Sequence, residues 1–110
     1  MSVIESKLVE LGYTLPSPPE PIGNYRAAAR SGKVMWMSGV GSRRADGSTI
    51  SGKLGADLTV EQGYEAARSC ALSLLARMKV ELGDLDRVTG ILKVVGMVNS
   101  SPNFEEQAKV

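Results

Sequence analysis

Apolar residues recur along this chain with two different periods, and each period marks out elements. Near the start, Val3, Ile4, Leu8 and Leu11 fall on one side at helical spacing, and Gly12 stands where a glycine cap would end a helix. A short first helix is expected there. From Val60 onward, Tyr64, Ala67, Ala71, Leu74, Leu75, Met78 and Leu82 recur at steps of mostly three and four, opposed by Glu61, Glu65, Arg68, Ser69 and Lys79. Thr59-Val60-Glu61-Gln62 reads as a capping box at its start, and Gly83 as a left-handed stop at its end. Such a helix needs a flat apolar surface to cover, with Leu74, Leu75 and Met78 in the core.

The second period is that of strands. Tyr25 to Arg30 and Lys33 to Ser38 suit a hairpin turning at Ser31-Gly32, with Val34 and Trp36 on one face and Trp36 in a core or interface. The alanines after Arg26 weaken the first of these strands. Asp46-Gly47 marks a further turn. The run VTGILKVVGMV, residues 88–98, has the β-branched content of a strand buried on both sides. Strand, long helix and strand then imply a right-handed crossover if the strands are parallel. Asn103 can cap another helix with Glu106 reaching back, two turns of which fit before Val110. Between the first helix and the hairpin, Pro16, Pro18, Pro19 and Pro21 remove backbone donors, so Leu15 to Ile22 should run as an extended surface arm. The expected organisation is one domain over residues 1–110, with 1–22 as an N-terminal helix and arm.

Composition narrows the chemistry. With 110 residues, 43% apolar and 23% charged, the chain fits one globular unit. Small domains bury a modest share of their surface, which makes oligomerisation a natural remedy. A net charge of +1 argues against tight nucleic-acid binding, which depends on several cations releasing counterions together. No stretch has the length and apolarity of a signal peptide or membrane helix, so the expected location is cytoplasmic, with no membrane partner. The absence of histidine removes the usual zinc sets and any nucleophile paired with an imidazole; no metal is expected. Cys70, the single cysteine, reads as a small buried or half-buried thiol, and Arg43 and Arg44 as a solvated loop beside Asp46-Gly47.

The order and spacing of GNYRAAARSGKVMWMSGVGS, GKLGADLTVEQGYEAARSCALSLLARMKVELGDLDRV and ILKVVGMVNSSPNFEEQAKV resemble the RidA (YjgF, endoribonuclease L-PSP-like) family over nearly the whole chain. The longer segment before the first strand is similar to a long-armed branch of it. The resemblance implies an α+β, chorismate-mutase-like fold, a mixed sheet packed on two helices. It also implies homotrimers with clefts between subunits that take a small carboxylate metabolite.

Members of the best-known type hydrolyse reactive enamines and imines, such as 2-aminoacrylate, to 2-keto acids and ammonia without a cofactor. The physical demand is modest: orient a carboxylate, tautomerise a substrate already prone to hydrolysis, and place a water. The family's carboxylate-binding arginine and the glutamate that often follows it lie on a strand beyond the position of Val110, so the resemblance implies a last strand missing from these residues and leaves the catalytic group unknown. The cleft tyrosine of the family corresponds to Tyr25, with Asn24 where a proline is usual, and its Ser-Gly pair corresponds to Ser38 and Gly39. Each has a plainer reading, Tyr25 as a strand aromatic at a subunit contact and Ser38-Gly39 as a strand end. Three functions remain open: enamine/imine hydrolysis, a non-catalytic trimeric metabolite-binding module, and a ribonuclease, which the neutral charge and missing histidine disfavour.

Overall fold

The computed structural model describes residues 2–110. In chain order the elements are helix α1 (Val3–Glu10), strands β1 (Ala28–Ser31) and β2 (Val34–Met37), helix α2 (Val60–Leu82), and two short 3-10 turns, Leu85–Arg87 and Gln107–Lys109. The two strands pair antiparallel, Ala28 opposite Met37 and Ser31 opposite Val34. The hairpin turns at Gly32-Lys33, one residue later than the sequence suggests, with Gly32 at φ 60°. Tyr25 to Ala27 lie outside the ladder, where alanine-rich sequence gives the backbone little reason to extend it.

Helix α2 forms where its local signals place it. Thr59 Oγ1 accepts from Gln62 N at 3.2 Å while Thr59 N donates to Gln62 Oε1 at 2.9 Å, closing the capping box. Gly83 ends the helix at φ 81°, its amide donating to Lys79 O at 2.7 Å. The buried line along α2 is Gly63, Ser73 and Ala76, and not the stripe of larger residues. Leu74, Leu75 and Met78 are only half-buried, and Tyr64 is 52% exposed. Small residues mark the places where other segments come closest: Leu54 sits against Gly63, and Leu15, Pro16 and Pro18 of the arm face Ala76.

The core is thin, comprising Ile50, Leu54, Ala76 and Leu85, with Leu85 fully enclosed. Leu54 is its junction. Its amide donates to Asn99 O and its carbonyl accepts from Ser101 N, both at 2.9 Å, a parallel bridge that carries the C-terminal segment alongside residue 54. Next to it, Gly55 at φ 86° leaves room for Ser101 and Phe104, whose Oγ and Cδ1 atoms would lie 2.6 and 3.0 Å from a β-carbon there.

Two expectations are corrected. Residues 88–98 form no strand, and Ile91, Leu92, Val94, Val95 and Met97 are 61–94% exposed. The β-branched run has the intrinsic preference but no strand beside it to complete a ladder, and β propensity is expressed only against neighbours. Trp36, 66% exposed, likewise sits outside the core. Nor does a helix start at Asn103: Phe104 turns back onto Ser101 and packs at Gly55, and the single 3-10 turn begins only at Gln107.

The N-terminal helix meets the corner after α2. Ser2 caps α1 by accepting from Glu5 N at 3.0 Å, and Asp86 accepts from Val3 N at 2.8 Å and Ile4 N at 3.0 Å. A carboxylate at the positive end of a helix dipole is doubly favourable. These amide bonds hold the Asp86 carboxyl below the ordinary aspartate value of 3.8, and the Lys79 ammonium does the same for Glu5.

A β-carbon at position 63 would come within 3.1 and 3.2 Å of Leu54 Cδ1 and Cγ, and closer still to Cδ2. Alanine at 63 gains about 1 kcal/mol of helix propensity, whereas displacing a packed leucine costs roughly 1–3 kcal/mol, so Gly63→Ala should lower stability by about 1 kcal/mol. Leu54→Ala alone should cost roughly 2–5 kcal/mol. Urea titration of both single variants and the double variant should show Gly63→Ala becoming neutral or favourable once Leu54 is truncated; additive effects would refute the packing argument. A second outcome follows from Asp86. Because its folded pKa is depressed, its contribution to α1 docking is present above the ordinary aspartate value and is lost as pH falls below 3.8. Amide exchange at Val3 and Ile4, followed by NMR through that range, should rise before exchange within α2 does.

Candidate functional site

Ser38 and Gly39 follow β2 at the open end of the hairpin, and Tyr25 lies on the segment that leads into β1. Ser38 continues the β1–β2 pairing by one step, its amide donating to Ala27 O at 3.0 Å. Its hydroxyl donates to Arg26 O at 2.5 Å, which ties it to the residue next to Tyr25. With its proton committed to a carbonyl, Ser38 Oγ presents only lone pairs to anything that approaches. Gly39 has open space where a side chain would stand, leaving the backbone accessible. Val40 O, one residue on, accepts a weak bond from Cys70 Sγ at 3.8 Å, linking this end of the hairpin to α2. Burial pushes the Cys70 thiol upward, away from the reactive thiolate form.

Tyr25 is 47% exposed, and its hydroxyl accepts from Ile22 N at 3.3 Å within a tight bend whose Gly23 carbonyl takes the Tyr25 amide at 3.0 Å. A β-carbon at Gly23 would lie 3.4 Å from the Tyr25 ring, so the bend is shaped to the ring. The phenol therefore keeps a free O–H donor at the surface. Sequence reasoning named the three side chains; the backbone groups that fix them, Ile22 N and Arg26 O, carry no signature in sequence.

Arg43 and Arg44 are exposed on the loop turning at Asp46-Gly47, as expected. Arg44 pairs with Glu65 at 3.7 Å and reaches Ser48 Oγ at 3.3 Å, so it is committed within its loop and to α2. A groove of about 560 Å³ runs along α2 between Val60, Glu61, Tyr64, Glu65, Arg68 and Lys109. In it Arg68 lies between the rings of Tyr13 and Tyr64, 5.1 Å from each centroid. The sequence pattern sets Arg68 on the face opposite Tyr64, and gives no sign of the contribution of Tyr13 from the arm. Two glutamates line the same groove, so its charge is mixed and does not favour an anion. Among the described residues, no group of three histidine, cysteine, aspartate or glutamate side chains is placed to hold a metal, and no helix is long and apolar enough to cross a membrane.

The antiparallel hairpin, the long capped helix and the Ser-Gly strand end belong to a recognisable class. Residues 5–110 match the model of the YjgF/chorismate-mutase-like endoribonuclease family, and the chain belongs to that family. Protein TCP17 of Trypanosoma cruzi is 43% identical over 115 residues, covering 100% of this chain and 72% of that protein. Two solved structures are each 36% identical. Atu1372 of Agrobacterium tumefaciens, of unknown function, aligns with a TM-score of 0.85 over 97% of this chain and 64% of its own. A candidate endoribonuclease from Shewanella oneidensis aligns with a TM-score of 0.73 over 78% and 57%. The chain thus spans somewhat under two thirds of the length of these two solved relatives.

Proposed function

We propose that this domain hydrolyses small reactive enamines or imines of the 2-aminoacrylate type to 2-keto acids and ammonia, with a cleft bordered by Tyr25, Ser38 and Gly39. The observation that carries the reading is the Ser38 arrangement: a hydroxyl whose proton is fixed on Arg26 O, beside a glycine that leaves the backbone open, suits acceptance from an amino or iminium group. The free Tyr25 O–H adds a donor at the same end. Neither group is a strong base, and a substrate that hydrolyses readily needs orientation and a placed water more than it needs one. The ribonuclease activity in the family's name fits this chain poorly, given a net charge of +1 and no histidine for general acid–base work at a ribose.

The active unit in this reading is a homotrimer in the cytoplasm. The described residues expose 8010 Å², against about 5,900 Å² for a compact monomer of 11.7 kDa, and the excess is of the size a stable subunit interface buries. The apolar side chains of residues 91–97 and Trp36 supply much of the surface that needs cover.

A second reading is a module that binds small carboxylates without turning them over. It is favoured by the hydrogen bonding at the site, in which Ser38 has a carbonyl partner and Tyr25 an amide partner, and neither has a carboxylate or amine to activate it. Ammonia release from an amino-acid oxidase reaction separates the two. The protein should accelerate it, with Tyr25→Phe and Ser38→Ala each reducing the acceleration by roughly tenfold or more. No acceleration, together with a rise in melting temperature at millimolar 2-keto acid, would transfer the assignment to the binding module. Light scattering on a sizing column should give a mass of three chains; a stable monomer would exclude the trimer.

A further inference from the structure

The N-terminal segment is held to the body of the domain in an unusual way. Its helix buries no residue fully, and Val3, Val9, Leu11 and Ile22 are 55–98% exposed, so its apolar contact with the body is confined to half-buried side chains such as Ile4, Leu8 and Leu15. Beside that contact runs a series of polar ones. Asp86 holds the Val3 and Ile4 amides, Glu5 pairs with Lys79, Tyr13 stacks on Arg68, and Glu20 meets Arg77 at 3.6 Å. Every charged partner on the arm is acidic, and its side-chain partners on α2 are basic. The last contact of the series is inside the candidate site, where Ile22 N donates to the Tyr25 hydroxyl.

The geometry points to a strap: we propose that residues 2–22 release from α2 as one unit while α2 stays folded, and that release frees Tyr25 from the bend that fixes it. Three features make this a unit. Pro16, Pro18, Pro19 and Pro21 stiffen the stretch between the tethers and leave few amides to bond elsewhere, so displacement at one end is carried to the other. The tethers are single stacks or charge pairs in which one member, Lys79 or Glu20, stands in solvent, so salt weakens them and the opened state lies close in free energy. Helix α2 is secured independently, by its capping box, its Gly83 stop and the contact of Gly63 with Leu54. Between strap and helix a groove of about 380 Å³, lined by Leu15, Pro16, Pro18, Ala76, Lys79, Val80 and Gly83, already separates the two surfaces. This inference concerns the movement of the arm and holds whether the cleft turns over a substrate or only binds one.

Peptide-resolved hydrogen exchange tests it on the full chain, using Glu20→Gln, which removes the charge of the tether nearest Tyr25 and leaves the Arg77–Glu81 pair within α2 intact, and Asp86→Asn, which weakens the one farthest from it. If the strap opens as a unit, either variant should raise exchange at both ends, in residues 3–11 and in residues 22–26, by roughly threefold or more, and salt at about 0.5 M should do the same to the native chain. Exchange across residues 62–82 should stay unchanged. Exchange raised only next to the altered residue would overturn the cooperative strap, and simultaneous loss of protection in α2 would overturn its independence. If one variant fails to fold, the other variant and the salt series on the native chain each give the same discrimination.

Discussion

The contact of Leu54 with Gly63 decides how this domain is assembled. A leucine 4% exposed, seated on a helical glycine, brings three stretches distant in sequence to one point: the loop of residues 50–58, the first turn of α2, and residues 99–101. The backbone of Leu54 bonds in both directions to the C-terminal segment, so its side chain and main chain serve different neighbours. Any side chain at 63 would push the leucine away and with it the parallel bridge to Ser100. The capping box one turn earlier has its place here too, since it fixes where Gly63 falls on the helix.

Away from that point the forces change character. The hairpin is ordered by its own ladder and reaches α2 through side groups such as Arg30, whose guanidinium bonds Glu81 O at 2.6 Å. The arm is held by charge. Residues 88–98 follow the fully enclosed Leu85, yet leave Ile91, Leu92, Val94, Val95 and Met97 in water. Among the described residues the buried apolar ones are Ile50, Leu54, Ala76 and Leu85, and in a small domain the area buried within one chain has little margin over the conformational entropy it must offset.

What could be read from the sequence was local. The Thr59-Gln62 box, the Gly83 stop, the Asp46-Gly47 turn, the helix ending near Gly12 and the extended proline arm each depend on residues within a few positions of one another, and each is present. What could not be read depends on distant partners. The stripe on α2 was legible as a stripe, but the residues that become buried are the small ones, because a loop leucine and the proline arm approach there. Asn103 has the chemistry of a cap, yet Phe104 is drawn to Gly55, some fifty residues away. The Asp86, Lys79 and Arg77 tethers look like ordinary surface charges until the arm is folded against them.

The candidate site shows the same division between local and distant. Tyr25, Ser38 and Gly39 stand out in the sequence as a tyrosine in a Gly-Asn-Tyr segment and a Ser-Gly pair after a strand. Their chemical state is set by backbone atoms: Arg26 O takes the serine proton, and Ile22 N takes a lone pair of the tyrosine. A hydroxyl that has given its proton away acts as an acceptor, and one that accepts keeps its proton to donate, so the two fixed hydroxyls offer opposite polarity to a ligand. A small zwitterionic or imine-bearing metabolite presents both polarities within a few atoms. Because Ile22 belongs to the arm, the Tyr25 hydroxyl is only as well fixed as the arm itself.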